Sequence, residues 1–318
     1  MTRYILKRLL LALVTLWLLV TAVYFMVNVL PQSVAKSVLG NTALPEAVDR
    51  FNLKWKLNDP QLTQYFRYIK GLVHFDLGRS YKSERPVLNV LGGPLVRSAK
   101  LAIFALVITV PISIWAGVTA ARRRDGKLDR AIVLTGLATS SIPEFVTGAL
   151  LVIVFGVFLN WLPVISTIPS GTSLIGQVRY LILPALSMAI VYFGYIARMM
   201  RAGSIKALES DYARTATMKG LNDRQLIRRH VIRNAIPPTI TVISVQIGYL
   251  FGGIIAVEKV FNYSGIGQQI FVAVSAKDLP LLQGCVLIVG TIYMLATLTA
   301  DIIIAWLNPR VRLQVGSS

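Results

Sequence analysis

The sequence predicts an all-helical integral membrane protein with six transmembrane helices. Of its 318 residues, 55% are hydrophobic, whereas a soluble domain reaches about 45–50% even when glycine is counted as apolar. The apolar residues cluster in runs, and about 20 of them in succession can span a bilayer. The formal net charge of +19 falls between these runs rather than along one continuous face. This distribution argues against a nucleic-acid partner.

The first predicted span follows Arg3, Lys7 and Arg8 near the N-terminus. A secretory signal peptide begins in the same way, but its apolar core is only about 7–15 residues long. The apolar run over residues 9–30 is longer, so we interpret it as a retained span. The other five predicted spans are residues 98–121, 131–159, 179–200, 240–257 and 282–307.

A polar segment, residues 31–97, separates the first two predicted spans. It mixes charged residues, glycine and aromatic residues, and it has no apolar run long enough to cross a membrane. We therefore predict a small extramembrane insert with a helical pattern over residues 62–75. The sequence then divides into four parts, which are residues 1–30 with the N-terminus and first span, the insert 31–97, a five-span core over 98–307, and a tail over 308–318.

The distribution of lysine and arginine predicts the orientation. These residues are concentrated in the N-terminus, in the turn after the second span, in segment 201–238 and in the tail. Cytoplasmic loops carry such an excess, and long translocated segments have little weight in this rule. We therefore predict that both termini and segment 201–238 lie in the cytoplasm, and that the insert is external.

Polar and small residues inside the predicted spans are candidates for the transport pathway or for helix packing. Pro143 and Glu144 interrupt the third span. Either Pro143 breaks the helix and leaves Glu144 at a polar corner, or Glu144 contacts the substrate. Gly248 and Gly252 are four residues apart, a spacing that lets helices approach closely. Asp301 should pair with a basic residue, unless it only marks the cytoplasmic boundary of the sixth span.

The basic segment 201–238 lies between two of the most apolar spans, and the rest of the chain is organised around it. Residues 211–218 are compatible with a helix, and Gly220 is a natural stop for it. Two interpretations are open at this point. The segment is either a solvated basic loop, as in many membrane proteins, or a docking surface made of backbone and charge.

A second short helix follows the predicted glycine corner. Asn222 or Asp223 can cap this helix, which runs towards the proline pair at 237–238. In the first helix, Ala213 and Ala216 are three residues apart and lie on one face. We expect these small side chains to permit the close approach of a partner.

The motifs of this segment resemble a known family. DYARTATMKGL at 211–221 and RRHVIRNAIPP at 228–238 resemble the EAA loop of bacterial importer permeases of the ATP-binding-cassette (ABC) class, in the peptide and nickel branch. Residues 57–81 and the following Pro86-Val87 resemble the same branch, and the ending Asn308-Pro309-Arg310 is similar to its Asp-Pro-Arg. At 31–34 the chain departs from the family, with Pro-Gln-Ser-Val in place of Pro-Gly-Asp-Pro.

The resemblance implies the type I ABC importer permease fold and a coupling helix that sits in a groove of an ATPase subunit. It assigns that coupling role to Asp211, Tyr212, Ala213, Arg214, Thr215, Ala216, Lys219 and Gly220. It also implies a second related permease subunit in a heterodimer, two cytoplasmic ATPase subunits, an external solute-binding protein, and a location in the bacterial cytoplasmic (inner) membrane. ATP and magnesium would bind in the ATPase subunits, with no cofactor and no metal in this chain.

The sequence lacks the G-x-x-x-x-G-K-[ST] motif that cradles nucleotide phosphates, and no catalytic constellation stands out, so we expect no enzymatic activity of its own. The resemblance implies import of di- or oligopeptides. Within the same fold, a nickel chelate, glutathione or an oligosaccharide is the alternative solute. A stand-alone secondary transporter or channel is the alternative class, but it predicts inverted repeats and paired midplane charges that the sequence does not show.

Overall fold

The computed structural model describes residues 2–28, 34–40, 42–169 and 171–307, and these residues are mainly helical. The predicted all-helical class is therefore confirmed. In chain order the helices are α1 (Thr2–Asn28), α2 (Val34–Leu39), α3 (Pro45–Trp55), α4 (Gln61–Val73), α5 (Val87–Arg122), α6 (Lys127–Ser140), α7 (Glu144–Leu151), α8 (Leu174–Leu208), α9 (Asp211–Met218), α10 (Asp223–Leu226), α11 (Ile232–Val260), α12 (Ile266–Ser275) and α13 (Leu279–Leu307). Two π-helical segments, Val152–Phe158 and Ile227–Val231, continue α7 and α10.

Five helical stretches are long and apolar enough to cross a membrane, namely Arg8–Met26, Val87–Arg122, Ile175–Leu208, Asp223–Val260 and Leu279–Leu307. A sixth span results if α6 and the helix Glu144–Phe158, which are bent by 102° relative to each other, form one broken span. The bend falls at the interruption that the sequence predicts. Pro143 has an extended backbone there, with φ −60° and ψ 146°, and its ring carries no N–H group with which to continue a helix.

The second span begins earlier than predicted, because α5 starts at Val87 rather than at residue 98. The insert therefore ends before residue 97, and its last part forms the first turns of a 36-residue helix, which is about 54 Å long at 1.5 Å per residue. The Gly-Gly-Pro sequence at 92–94 has a low intrinsic helix propensity. Val87 and Leu91 are fully buried in a hydrophobic core, and this packing outweighs the weak local preference against a helix.

The helices around segment 201–238 also differ from the prediction. Helix α8 continues to Leu208, and the second helix does not stop at Pro237-Pro238 but runs through both prolines into the fifth span, as the stretch Asp223–Val260. Proline is tolerated inside membrane helices because neighbouring groups can satisfy the freed carbonyls. The segment between the two long helices is therefore much shorter than 201–238, and it contains α9 with its flanking turns.

The chain divides into two compact units. The first comprises Met1–Leu10, Ala99–Tyr263 and Tyr293–Ser318, and the second comprises Leu11–Ser98 and Ser264–Ile292. In the first unit, α8 packs against α6, α7 and α11. Its side chains Leu183, Met188 and Ile196 are fully buried, so α8 is the central helix of this unit.

The second unit contains most of the predicted insert. Ser80 donates a hydrogen bond from its hydroxyl to Asp278 at 2.5 Å, and the backbone N–H groups of Tyr81 and Lys82 donate to the same carboxylate at 3.0 and 3.2 Å. Burial, reinforced by the negative charge of Asp278, raises the pKa of Tyr81. Asp278 therefore fixes the turn that precedes α5 against the start of α13. Cys285 is buried in the hydrophobic core of this unit and acts as a packing residue.

Three predictions fall outside the described residues. They concern the Pro31-Gln32-Ser33 stretch, the Asn308-Pro309-Arg310 ending and the tail 308–318.

The orientation in the membrane stays a prediction, and cysteine labelling tests it. Asn58 and Thr215 are exposed, whereas the native Cys285 is fully buried and gives little background. We expect a membrane-impermeant maleimide to label Asn58→Cys from outside intact cells and to label Thr215→Cys only after the membrane is opened. Labelling of both positions from the same side would contradict the predicted topology.

Candidate functional site

Helix α9 is closed at its C-terminus by a glycine turn. Gly220 has φ +82°, a conformation that glycine adopts at no steric penalty. Its N–H donates to the Thr217 carbonyl at 2.9 Å, and the N–H of Leu221 donates to the Ala216 carbonyl at 3.2 Å. This pair of bonds is a Schellman motif. The sequence-predicted stop at Gly220 is thus a defined turn with satisfied backbone groups.

The next helix begins with the predicted cap. The side chain of Asn222 accepts from the Gln225 N–H at 2.9 Å, and the Gln225 side chain accepts from the Asn222 N–H at 3.2 Å. This reciprocal capping box satisfies donors at the start of α10. Of the two predicted capping residues, Asn222 is the one that acts. With both ends fixed, α9 is held as a short, defined helix between two long ones.

The small residues of α9 face their own chain, which corrects the expectation that they meet a partner. Ala213 and Ala216 are 2% and 6% exposed. They pack in a cluster with Ala207, Leu226 and Val231. Their spacing lets α9 approach α8 and α10 closely, because a methyl group requires little space. If α9 docks on a partner, the contact has to be made by the opposite face of the helix.

That opposite face is exposed and partly apolar. Met218 is 86% exposed and Tyr212 is 41% exposed, and Arg214, Thr215 and Lys219 are exposed as well. Tyr212 also lines a cavity of about 310 Å³ formed with parts of α8 and α11. The sequence prediction did not include Met218, whose exposure only the structure shows, and exposed methionines are frequent at binding surfaces.

The surface around α9 is strongly basic. Seven exposed side chains form no ion pair within the part of the chain that the structure describes, and they are Lys206, Arg214, Lys219, Arg224, Arg228, Arg229 and Arg233. The two acids that flank α9 are paired instead with the end of α5 and the turn after it. Arg124 binds Glu209, and Arg122 lies 3.7 Å from Asp223. The free charge of this surface is therefore positive and complements an acidic partner.

A buried ion pair joins this surface to the membrane core. The guanidinium of Arg201 donates from Nε and Nη2 to the two oxygens of Asp129, at 2.5 and 2.6 Å. The Asp125 N–H donates to Asp129 at 2.9 Å, and the Asp129 side chain is 3% exposed. Bidentate geometry of this kind makes strong charge-assisted bonds. The sequence pointed to Arg201 but not to Asp129, because the partners are distant in sequence and only the fold joins them.

A cavity of about 370 Å³ lies at the break between α6 and α7, and its lining includes polar and apolar side chains. Glu144, the first residue of α7, accepts a hydrogen bond from the Tyr192 hydroxyl on α8 at 2.9 Å. The lining is Ser140, Ser141, Ile142, Pro143, Glu144, Val191, Tyr192, Tyr195, Gln246 and Tyr249. The predicted pair Pro143 and Glu144 thus lines a cavity to which four helices of the first unit contribute, α6, α7, α8 and α11.

The two predicted glycines of α11 lie in different surroundings. A methyl group on Gly248 would lie 2.6 Å from the ring atom Cε2 of Tyr293, so this glycine permits a close approach. Around Gly252 there is no atom within 4 Å of such a methyl group. Among the described residues, no neighbouring helix packs closely against Gly252, so the predicted close packing is absent at this position. The packed residue is its neighbour Gly253, which the sequence reasoning missed and which lies against Glu144.

Asp301 lies near the end of α13 beside a basic residue, as expected. Oδ2 of Asp301 is 3.1 Å from Nη1 of Arg8, and the two side chains are 18% and 46% exposed. An acid in an otherwise apolar helix is costly unless it is paired. The pair therefore ties the start of α1 to the end of α13 in the first unit.

We predict that Asp301→Leu lowers assembly of the membrane complex more than it changes solute preference, because the pair joins two helices and neither of its residues lines the cavity beside Glu144. The measurement is the yield of assembled complex beside relative uptake of two solutes, with Asp301→Asn as the milder variant. Normal assembly with an altered preference would contradict this prediction.

Comparisons with known proteins found two family profiles and several relatives of similar length. The profile of the family described as binding-protein-dependent transport system inner membrane component matches residues 110–313, and that of its N-terminal component matches residues 1–102. A permease of Brucella abortus (strain 2308) that is named for a peptide transport system is 34% identical over 312 residues, which cover 98% of this chain and 99% of that protein.

Two further relatives and one solved structure are similar to the chain. The dipeptide transport system permease protein of Alkalihalophilus pseudofirmus is 31% identical over 98% of this chain and 100% of its own length. The glutathione transport system permease protein of Escherichia coli (strain K12) is 32% identical over 98% and 99%. A crystal structure of an amino acid ABC transporter with histidines aligns with 69% of this chain and 92% of that chain, at 19% identity and a TM-score of 0.44.

Proposed function

The chain belongs to the family of inner membrane components of binding-protein-dependent transport systems, and we propose from this premise that it is a permease subunit of an ATP-driven importer of peptides. It is a multi-pass protein of the bacterial inner membrane. Relatives of nearly the same length are named for peptide, dipeptide and glutathione transport. Glutathione is itself a small peptide, so all three names favour one class of solute.

The observation that carries the proposal is the exposed face of α9. A short helix with fixed ends lies between two membrane-spanning helices, with an exposed methionine at its tip and unpaired basic residues around it. A rigid element of this kind can enter a groove of a cytoplasmic ATPase subunit and transmit its motion. The small residues on the inner face of α9 bind it to α8 and α10, so that a force on α9 is carried into the helices of the first unit.

The other components of the transport complex are separate partner proteins. ATP and magnesium bind in two ATPase subunits, a second related permease completes the pathway, and a solute-binding protein delivers the peptide on the outer side. The chain contributes half of the pathway, where the cavity beside Glu144 offers hydrogen-bonding side chains at the break between α6 and α7. Closing of the ATPases would move α9 and, through the Arg201–Asp129 pair, the broken helix that lines this cavity.

The test is to purify the complex assembled with the products of its neighbouring genes and to identify by mass spectrometry the ligand that co-purifies with it. We expect di- or oligopeptides, and ATP-dependent uptake of the same peptides by proteoliposomes that contain the complex and its binding protein. Recovery of a nickel chelate or an oligosaccharide, with no peptide uptake, would contradict peptide import while leaving the importer class intact.

A further inference from the structure

The carboxylate of Glu144 differs from those of Asp129 in α6 and Asp301 in α13. Asp129 and Asp301 each have an arginine partner. Glu144 forms no ion pair within the described residues, and its hydrogen-bond partner is the neutral hydroxyl of Tyr192. An ionisable group inside a membrane protein is costly unless it faces protein, water or a partner charge. Glu144 is thus an acid whose counter-charge is not supplied by the described part of its own chain.

The surroundings of Glu144 fit a positively charged guest. Glu144 is the one charged residue among the described residues that line the 370 Å³ cavity. Its position in the first turn of α7 favours a negative charge, because the partial positive charge of a helix lies at its N-terminus. Arg198, one turn along α8, lies over the ring of Tyr195 at 5.4 Å and donates to the Gly194 carbonyl at 3.0 Å, and it does not form an ion pair with Glu144.

A glycine keeps this carboxylate in place. A methyl group on Gly253 of α11 would lie 2.8 Å from Oε1 of Glu144 and 3.2 Å from the Tyr192 hydroxyl. The distance to Oε1 is too short for a carbon atom beside an oxygen and the distance to the hydroxyl is tight, so a side chain at Gly253 would displace the Glu144 carboxylate from its place beside Tyr192. At Gly252, the preceding residue of the same helix, no atom lies within 4 Å of the added methyl group. The two glycines form a matched pair for experiment.

We infer that Glu144 binds the primary ammonium group of the solute as it passes, which for a peptide is its N-terminal amine. The inference rests on the proposed function, since it names the part of the peptide that this site recognises. Oxygen Oε1 of Glu144 is oriented by the Tyr192 hydroxyl, and the remaining carboxylate lone pairs accept from the ammonium. Gln246 and the hydroxyls of Tyr195 and Tyr249 supply further hydrogen-bonding groups for the peptide bond.

The experiment uses the whole complex with its binding protein in proteoliposomes. It compares one labelled dipeptide with its N-acetylated form, each at a concentration that saturates uptake. The variants are Glu144→Gln, Gly253→Ala and the control Gly252→Ala. Each variant's uptake is divided by the wild-type uptake of the same peptide, which removes the preference of the binding protein, and ATP hydrolysis stimulated by the loaded binding protein is measured in parallel.

We expect Glu144→Gln and Gly253→Ala to lower uptake of the free-amine peptide about tenfold, the loss typical of one hydrogen bond to a charged group. For the same two variants, stimulated ATP hydrolysis should stay within about twofold of wild type. Uptake of the acetylated peptide, where the wild type carries it, should also stay within about twofold. The control Gly252→Ala should resemble the wild type in all three measurements.

Equal losses for both peptides, or a parallel fall in ATP hydrolysis, would show that Glu144 only holds helices together, and unchanged uptake by Glu144→Gln would also overturn the inference. A wild-type complex that carries neither peptide would reject the proposed function together with the inference. A wild-type complex that carries the free-amine peptide, with variants that carry it equally well, would reject the inference alone.

Discussion

Asp129→Ala is expected to lower the free energy of unfolding by about 3 kcal/mol, the lower end of the range for breaking a buried ion pair. The reason is the Arg201 guanidinium, which would lose both of its short bonds at once. Its side chain is 25% exposed, so water can solvate part of the freed charge and keep the loss from being larger. The measurement is reversible unfolding of the purified chain in mixed detergent micelles.

Two controls make this prediction sharp. Glu209→Ala breaks the pair with Arg124, whose two side chains are 63% and 51% exposed, and exposed pairs are worth only about 0–1 kcal/mol. The double variant Asp129→Ala/Arg201→Ala should be no less stable than Asp129→Ala alone, because removing both partners leaves no buried charge without a partner. Equal losses for Asp129→Ala and Glu209→Ala would contradict the assignment of Asp129 as a buried anchor.

The pair should also matter for transport. It joins the end of α8, from which α9 follows, to the start of α6, which lies on one side of the broken helix. On the other side of the break, Tyr192 of α8 binds Glu144 of α7. Helix α8 therefore contacts both halves of the broken span, α6 and α7, at separate points along its length. A displacement of α8 driven from the cytoplasm has a direct physical route to the cavity.

Features that depend on neighbouring residues could be predicted from the sequence. The spans follow from the lengths of the apolar runs, and the break at Pro143 follows from the missing N–H of proline. The turn at Gly220 and the cap at Asn222 follow from the conformations and side-chain acceptors that these residues offer locally. Each of these features is decided within a few residues of the one that signals it.

Features that depend on tertiary contacts could not be predicted in the same way. Asp129 and Gly253 carry no local signal, because their partners Arg201 and Glu144 lie far away in the sequence and meet them only in the folded helices. The spacing of Ala213 and Ala216 correctly indicates a close contact. The spacing does not say whether the contact is with a partner or within the chain itself. The burial of both alanines in a cluster with Ala207, Leu226 and Val231 shows that the contact is within the chain.

This burial changes which variants test the coupling role of α9. Ala216→Glu would place a carboxylate in an apolar cluster, where an unpaired charge is strongly unfavourable. Its defect would be in local folding and would say nothing about docking. Met218 is 86% exposed, so Met218→Asp buries no charge within the chain, and its cost at the end of α9 is limited to about 0.3–1 kcal/mol. Gly220→Asp adds a side chain where no atom lies within 4 Å, at the modest strain of a positive φ.

Met218→Asp should therefore leave membrane insertion and assembly of the permease pair intact and lower peptide uptake roughly thirtyfold. A thirtyfold loss corresponds to a binding free energy of about 2 kcal/mol, which is typical of an interface residue that fills a pocket on its partner. Stimulated ATP hydrolysis should fall with uptake, because the ATPase cycle and the motion of the helices would no longer be linked.

Gly220→Asp should act in the same direction, since its carboxylate lies beside the docking face. Arg214→Ala should be milder, since an exposed charge pair contributes about 0–1 kcal/mol. The variants are reconstituted with their ATPase subunits, and uptake is measured beside ATP turnover. Wild-type uptake by both Met218→Asp and Gly220→Asp would show that the exposed face of α9 does not bind the ATPase, because a charge at the tip of a docked helix would have to be buried without a partner.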